Sequence, residues 1–308
     1  MNAPRPPVVP ITVVLATRNR AATAARAAAS ILRSRYPDFR LCIVDQSSDG
    51  STRAAMADIV RDPRVTFVAA VPTGVAAARN LGIAHSDTPL LACTDDDCEA
   101  TPEWLDRIAA TFAADPAIGI VFGTVNAPTY DRTTGFIPAY RVPRTFTAHS
   151  IAQKASIEGF GANMAMRRSV WQVLGGFDEA MGVGSTFCAG EETDLAIRAL
   201  VAGHKVHEAP EPAVTHFGFR RWDEAHLTIA GYMFGLGAAN AKMLRLAGWR
   251  AWRPLTSLAW RWLATGPVAD LNHVPPRLQR LRPFLRGAWL GLRTPLDRAT
   301  GRFSARSR

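Results

Sequence analysis

Short apolar runs alternate with alanine-rich stretches along the first half of the chain. Segments 11–16, 40–45, 65–71, 89–94 and 118–126 are rich in β-branched and aliphatic residues, the pattern of strands buried on both faces of a largely parallel sheet. Between them the spacing predicts helices over about 21–34, 51–61, 74–85 and 102–114. Ser51 and Thr52 after Asp49-Gly50 start the second of these, and Thr101 before Pro102 starts the last. Strand–helix–strand repetition implies right-handed crossovers with helices on both faces. Residues 127–158 are polar and rich in turn formers, which predicts an irregular surface segment. Periodicity returns over 161–168 and in a helix near 168–174, which Gly175-Gly176-Phe177-Asp178 breaks. The glycine-rich segment 181–190 reads as mobile. A helix begins at Glu191, with Leu195, Ile197, Arg198 and Leu200 forming its inner face. After His216, amphipathic helical segments run to about 265, followed by an arm with Pro275-Pro276 and repeated arginine.

Charge divides this layout in two. The 308 residues carry a net charge of +10, yet residues 217–308 hold 16 Lys or Arg against 4 Asp or Glu, and residues 1–216 hold 20 against 22. A near-neutral body over 1–218 and a basic helical extension over 219–308 are therefore expected. Trp222, Trp249, Trp252, Trp260, Trp262 and Trp289 fall in that extension, interleaved with arginine as in Trp249-Arg250-Ala251-Trp252-Arg253. This composition suits an interfacial helix on an anionic membrane surface. Nucleic acid is the weaker alternative, because no recognition motif accompanies the charge. No window reaches the roughly 18 uncharged apolar residues of a membrane span, and the stretch after Val8 reads as a first strand rather than a signal peptide. Cys42, Cys93, Cys98 and Cys188 have neither zinc-like spacing nor the density of a disulfide scaffold. A cytoplasmic protein, peripheral on the inner face of the cell membrane, is the resulting expectation.

Polar clusters fall at the ends of three predicted strands: Thr17-Arg18-Asn19, Asp45-Gln46-Ser47-Ser48-Asp49 and Thr94-Asp95-Asp96-Asp97. Ligands bind at the carboxyl ends of strands in sheets of this kind. Adjacent carboxylates at a buried strand end require a compensating cation. Alternation along an extended segment lets Asp95 and Asp97 share a site for a hard divalent ion such as Mn2+ or Mg2+. In Gly190-Glu191-Glu192-Thr193-Asp194 the helix dipole accounts for one acid but not for three. A carboxylate there is placed to take a proton from an attacking hydroxyl. His216, at the end of another β-like run, offers an imidazole to complete the site.

Taken in order, these segments resemble the family 2 glycosyltransferases, over roughly residues 10–218. The resemblance rests on residues 13–20, on Ile43-Val44-Asp45-Gln46-Ser47-Ser48-Asp49-Gly50, on Gly74-Val75-Ala76-Ala77-Ala78-Arg79-Asn80, on the Asp95 run, on Gly175-Gly176-Phe177-Asp178, on Gly190-Glu191-Glu192-Thr193-Asp194 and on His216. It implies an α/β fold of GT-A type, a Rossmann-like, mostly parallel sheet flanked by helices. It also implies an inverting transfer from a nucleotide-diphosphate sugar to a glycan or lipid-linked acceptor of bacterial cell-envelope or exopolysaccharide synthesis. Thr17, Asp45 and Arg79, with Arg18, Ser47, Asp95 by the ribose and Asp96 nearby, would hold the nucleotide sugar. Asp95, Asp97 and His216 would hold the metal. The family's usual base is the Asp of a Glu-Asp pair, where this chain has Glu192; Glu191 and Asp194 are the alternatives. A nucleotidyltransferase would normally carry a Gly- and Lys-containing phosphate loop, and residues 14–26 contain neither. A non-catalytic binding protein of the same fold would not need these acids.

Overall fold

The computed structural model describes residues 8–264 and 277–304. Its strands are β1 (Ile11–Thr17), β2 (Phe39–Asp45), β3 (Val65–Ala69), β4 (Leu90–Asp95), β5 (Cys98–Ala100), β6 (Ile118–Asn126), β7 (Gly135–Phe136), β8 (Phe146–Ala148), β9 (Asn163–Arg167), β10 (Lys205–His216) and β11 (Arg220–Arg221). The helices are α1 (Ala21–Leu32), α2 (Ser51–Ala55), α3 (Val75–Ala84), α4 (Trp104–Ala114), α5 (Arg168–Val173), α6 (Glu191–Val201), α7 (Trp222–Ala247), α8 (Trp252–Ala264) and α9 (Arg277–Arg293). The main sheet runs β3-β2-β1-β4-β9-β6-β10-β5, with β8 also paired to β10. β3, β2, β1 and β4 are parallel, as are β6 and β10; β9 enters antiparallel between β4 and β6.

Side-chain alternation sends each strand into two cores. Ile11, Val13 and Leu15 of β1 pack with Ala24, Ala27 and Ala28 of α1 and Trp104 of α4. Val14, together with Leu91 and Cys93 of β4, packs on the other face with Ile83 of α3 and Leu195 of α6. Alanine on α1 brings that helix close to the sheet.

Several expected elements differ in detail. The helix expected over 51–61 is α2 followed by a 3-10 turn at Ile59–Arg61. Segment 127–158 contributes β7, β8 and a 3-10 turn at Ile151–Ser156. The glycine-rich segment is anchored: Met181 and Phe187 are fully buried, and Val75 N–H donates to Val183 O at 2.9 Å. The arginine-rich arm contains α9, a helix of 17 residues with Pro283 inside it; Pro275-Pro276 lies outside the described residues.

The core runs on past residue 218. Ala238, Ala239 and Met243 of α7, with Ala251 and Phe303, belong to the same cluster as Phe177 and Leu195. A buried ionic network reinforces the junction. Lys242 of α7 is wholly inaccessible and pairs with both Asp178 and Asp194, while Asp194 accepts from Arg198 Nε at 2.8 Å. Arg198 also donates to the carbonyls of Leu174 and Gly176, and Phe303 N–H donates to Asp178 Oδ2 at 2.6 Å. Two cations thus balance two carboxylates where neither sign could stand alone. Lys242→Met leaves the carboxylates short of one cation. It is expected to lower the free energy of unfolding by about 3–5 kcal/mol, read as a lower denaturant midpoint, and adding Asp178→Asn should recover part of the loss.

Candidate active site

The parallel register aligns the ends of three neighbouring strands. Thr17 of β1 lies beside Asp45 of β2, and Ala16 beside Asp95 of β4. Hydrogen bonds knit the loops that follow. Ser47 N–H donates to Asp45 Oδ1 at 2.9 Å, Asn19 N–H to Ser47 Oγ at 2.7 Å, and Ser48 N–H to Asn19 Oδ1 at 3.0 Å. Asn19 sits at φ 56°, a left-handed conformation that asparagine tolerates better than most residues. Arg18 is exposed on the same loop.

Beyond β4 the chain turns at Asp96 and Asp97 and returns as β5 against the end of β10, with Cys98 opposite His216. The three aspartates then diverge. Asp95 accepts from Arg79 Nη2 at 2.8 Å. Asp96 accepts from the Thr17 hydroxyl at 2.8 Å and from Arg20 Nη1 at 3.0 Å. Asp97 lies 3.0 Å from His216 Nε2, 2.8 Å from Arg20 Nη1 and 3.8 Å from Arg220 Nη2. Burial raises the Asp96 carboxyl above its ordinary range against the pull of Arg20 and Thr17. Burial alone would raise Asp97 too, but the hydrogen bond and charge of His216, with Arg20 and Arg220, bring it down to about 2. Burial likewise pulls the His216 imidazole down, and its bond to Asp97 overrides that and holds it above its usual value.

This corner fits a divalent metal. His216 Nδ1 donates to the Pro138 carbonyl at 2.9 Å, the arrangement that presents Nε2 as a ligand. Gly218 leaves the donors uncovered, because a Cβ there would lie 2.4 Å from Asp97 Oδ2 and 2.8 Å from His216 Nε2. Among the described residues, Asp97, Cys98 and His216 form the group with ligand atoms within 4.8 Å of one another. Burial and the neighbouring Asp95 and Asp97 hold the Cys98 thiol protonated, which leaves Asp97 and His216 as the donors of the group. Asp95, expected among the ligands, lies outside this group and pairs with Arg79.

The first turn of α6 also sorts its acids by direction. Glu191 is buried and accepts from Arg79 Nη1 at 2.8 Å. Asp194, wholly buried, is taken up by Lys242 and Arg198, so this alternative base sits in the structural network behind the helix. Glu192, half-buried, has no cationic partner within salt-bridge distance among the described residues; Thr193 Oγ1 lies 3.4 Å from it. Burial and the adjacent Glu191 charge push its carboxyl up to about 8. Arg79, expected to hold a ligand, is 1% exposed and spends its guanidinium on Asp95, Glu191 and the Gly161 carbonyl. It joins the strand end to the helix that carries Glu192. Arg20, Arg220, Gly218 and the Pro138 carbonyl were not singled out from the sequence. Only Arg20 left a signal there, as a cation close to the strand end that clustered acids require.

The sequence profile of Glycosyl transferase family 2 matches residues 12–174, more than half of the chain. The pre-mycofactocin glycosyltransferase of Mycobacterium tuberculosis strain H37Rv is 27% identical over 228 residues, 69% of this chain and 44% of that protein. The O-antigen biosynthesis protein RfbC of Myxococcus xanthus is 28% identical over 192 residues, 57% of this chain and 15% of that one. The chain therefore spans less than half the length of these curated relatives. Among solved structures, mannosyltransferase PcManGT from Pyrobaculum calidifontis in complex with GDP-Man and Mn2+ superposes with a TM-score of 0.61 at 19% identity, over 92% of this chain and 86% of that one. S. aureus TarS 1–349 in complex with UDP does so with a TM-score of 0.61 at 12% identity, over 90% and 80%. Those likenesses give the fold, which is GT-A, and the profile match gives the family. The chain belongs to glycosyl transferase family 2.

Proposed function

We propose that this glycosyltransferase is metal-dependent and inverting, and that it moves a sugar from a nucleotide-diphosphate donor to an acceptor hydroxyl. The observation that carries the reading is the pairing of two unlike corners. Asp97 and His216 form a carboxylate–imidazole donor pair with the ring oriented by the Pro138 carbonyl, and Glu192 is a carboxylate left without an ion-pair partner. A divalent cation bound by Asp97 and His216 would neutralise the diphosphate and the charge that develops on its leaving oxygen. Thr17, Asp45 and Ser47 would hold the nucleoside, and Asp95 would lie by its ribose. Glu192 takes the proton of the acceptor hydroxyl as its oxygen bonds to the anomeric carbon. The bond from that carbon to the diphosphate breaks, and its electron pair leaves with the diphosphate. One carboxylate without an ion-pair partner suits a single displacement, which inverts the anomeric centre. The bound UDP and GDP-Man of the structural neighbours support a nucleotide-linked donor. RfbC supports a glycan acceptor of the cell envelope.

Glu192→Gln is expected to lower kcat by about 10²–10⁴-fold with donor binding kept, measured by steady-state transfer with calorimetric donor titration. Undiminished transfer would remove Glu192 as base. The raised carboxyl sets the pH dependence. Below about 8 it keeps its own proton and cannot accept another, so kcat/KM rises with pH to a plateau above that value. That rising limb is expected to vanish in Glu192→Gln. EDTA is expected to abolish transfer and Mn2+ or Mg2+ to restore it. His216→Ala should raise the metal concentration required by on the order of 10–100-fold, and metal-independent activity would overturn the metal reading.

A further inference from the structure

The outward faces of α8 and α9 carry residues that water does not favour. Trp249, Trp252 and Trp260 are 84%, 63% and 74% exposed. Their spacing places them with Arg253 on one side of α8 and the turn before it. The opposite side is fixed: Ala251 is fully buried, and Leu255 and Leu258 pack against the main core. The tryptophans are thus held outward by a helix that is already anchored.

Helix α9 repeats the arrangement independently. Leu281, Leu285, Trp289 and Leu292 are exposed at i, i+4, i+8 and i+11, a single stripe, with Arg282, Arg286 and Arg293 exposed along one flank of it. Its other side lies so close to α7 that a Cβ on Gly287 would come within 1.9 Å of the Phe234 carbonyl. Among the described residues, no helix is long and apolar enough to cross a membrane, so these faces can meet a bilayer only along its surface.

We propose that the exposed faces of α8 and α9 dock this enzyme on an anionic phospholipid surface, indoles at headgroup depth and arginines on lipid phosphates. Charge selects this occupant. From residue 225 to 296 the chain has ten Lys or Arg and a single acid, Asp270. A second copy would set arginine against arginine. Arg250 and Arg253 are exposed and form no ion pair among the described residues. Trp222 is excluded from the surface, because it stacks on Phe136 and donates to the Arg132 carbonyl.

Full-length protein is mixed with phosphatidylcholine vesicles with and without phosphatidylglycerol, and binding is read by co-sedimentation and by tryptophan emission. Binding to phosphatidylglycerol vesicles, a blue shift, and weakening by salt are expected. W249A/W252A/W260A should bind roughly tenfold or more weakly, while L285S/L292S tests the α9 stripe separately. All the substituted residues are exposed and outside the active site, so thermal unfolding and donor hydrolysis in solution should match wild type. The proposal is overturned if wild type ignores lipid charge or lipid altogether, or if both variants bind as wild type does. It is also overturned if sedimentation shows self-association that the triple variant abolishes, which would make these faces a contact between copies.

Discussion

Arg79 holds two parts of the active site together through one guanidinium. One terminal nitrogen takes Asp95 at the end of β4, the other takes Glu191 at the start of α6, and the Gly161 carbonyl adds a further contact. Without that bridge the strand-end acids and the helix-start acids would face one another across a cleft with like charge. The same logic repeats around the site. Arg20 serves Asp96 and Asp97, His216 and Arg220 serve Asp97, and Arg198 with Lys242 serves Asp194. Charge compensation in a poorly hydrated region is thus allotted acid by acid. Glu192 is the acid of the first turn of α6 that this allotment passes over, and the proposed role in proton transfer rests on that exception.

How much of this could be read beforehand depends on the range of the interaction. The strands around Val13, Ile43 and Leu91 were legible because burial on both faces leaves unbroken aliphatic runs. Strand direction was less so: Asn163–Arg167 has the same apolar character whether it runs with β4 or against it. Helix α9 was read as an arm because dense arginine and Pro283 mask its period. Close packing through Gly287 on α7 holds the helix there against weak local signals.

Within the site, the positions of Asp95, Asp97, Glu192 and His216 could be read, since each lies at the edge of a regular element. Their partners could not. That Asp95 belongs to Arg79, that Asp194 belongs to Lys242, and that Pro138 sets the tautomer of His216 are pairings across 16 to 78 residues. Adjacent acids in a sequence look equivalent. The turn at Asp96–Asp97 and the pitch of α6 send them in different directions, and direction decides role.

The bond from the Phe303 amide to Asp178 spans 125 residues and closes the network behind α6. On a ribosome, the sheet and the donor side of the cleft are synthesised well before that amide exists. Until residue 303 has cleared the exit tunnel, Lys242 and its carboxylates lack their final hydrogen-bond donor and the aromatic ring that covers them. The network behind α6 is therefore completed only late in this stretch of translation, after the whole sheet has been made.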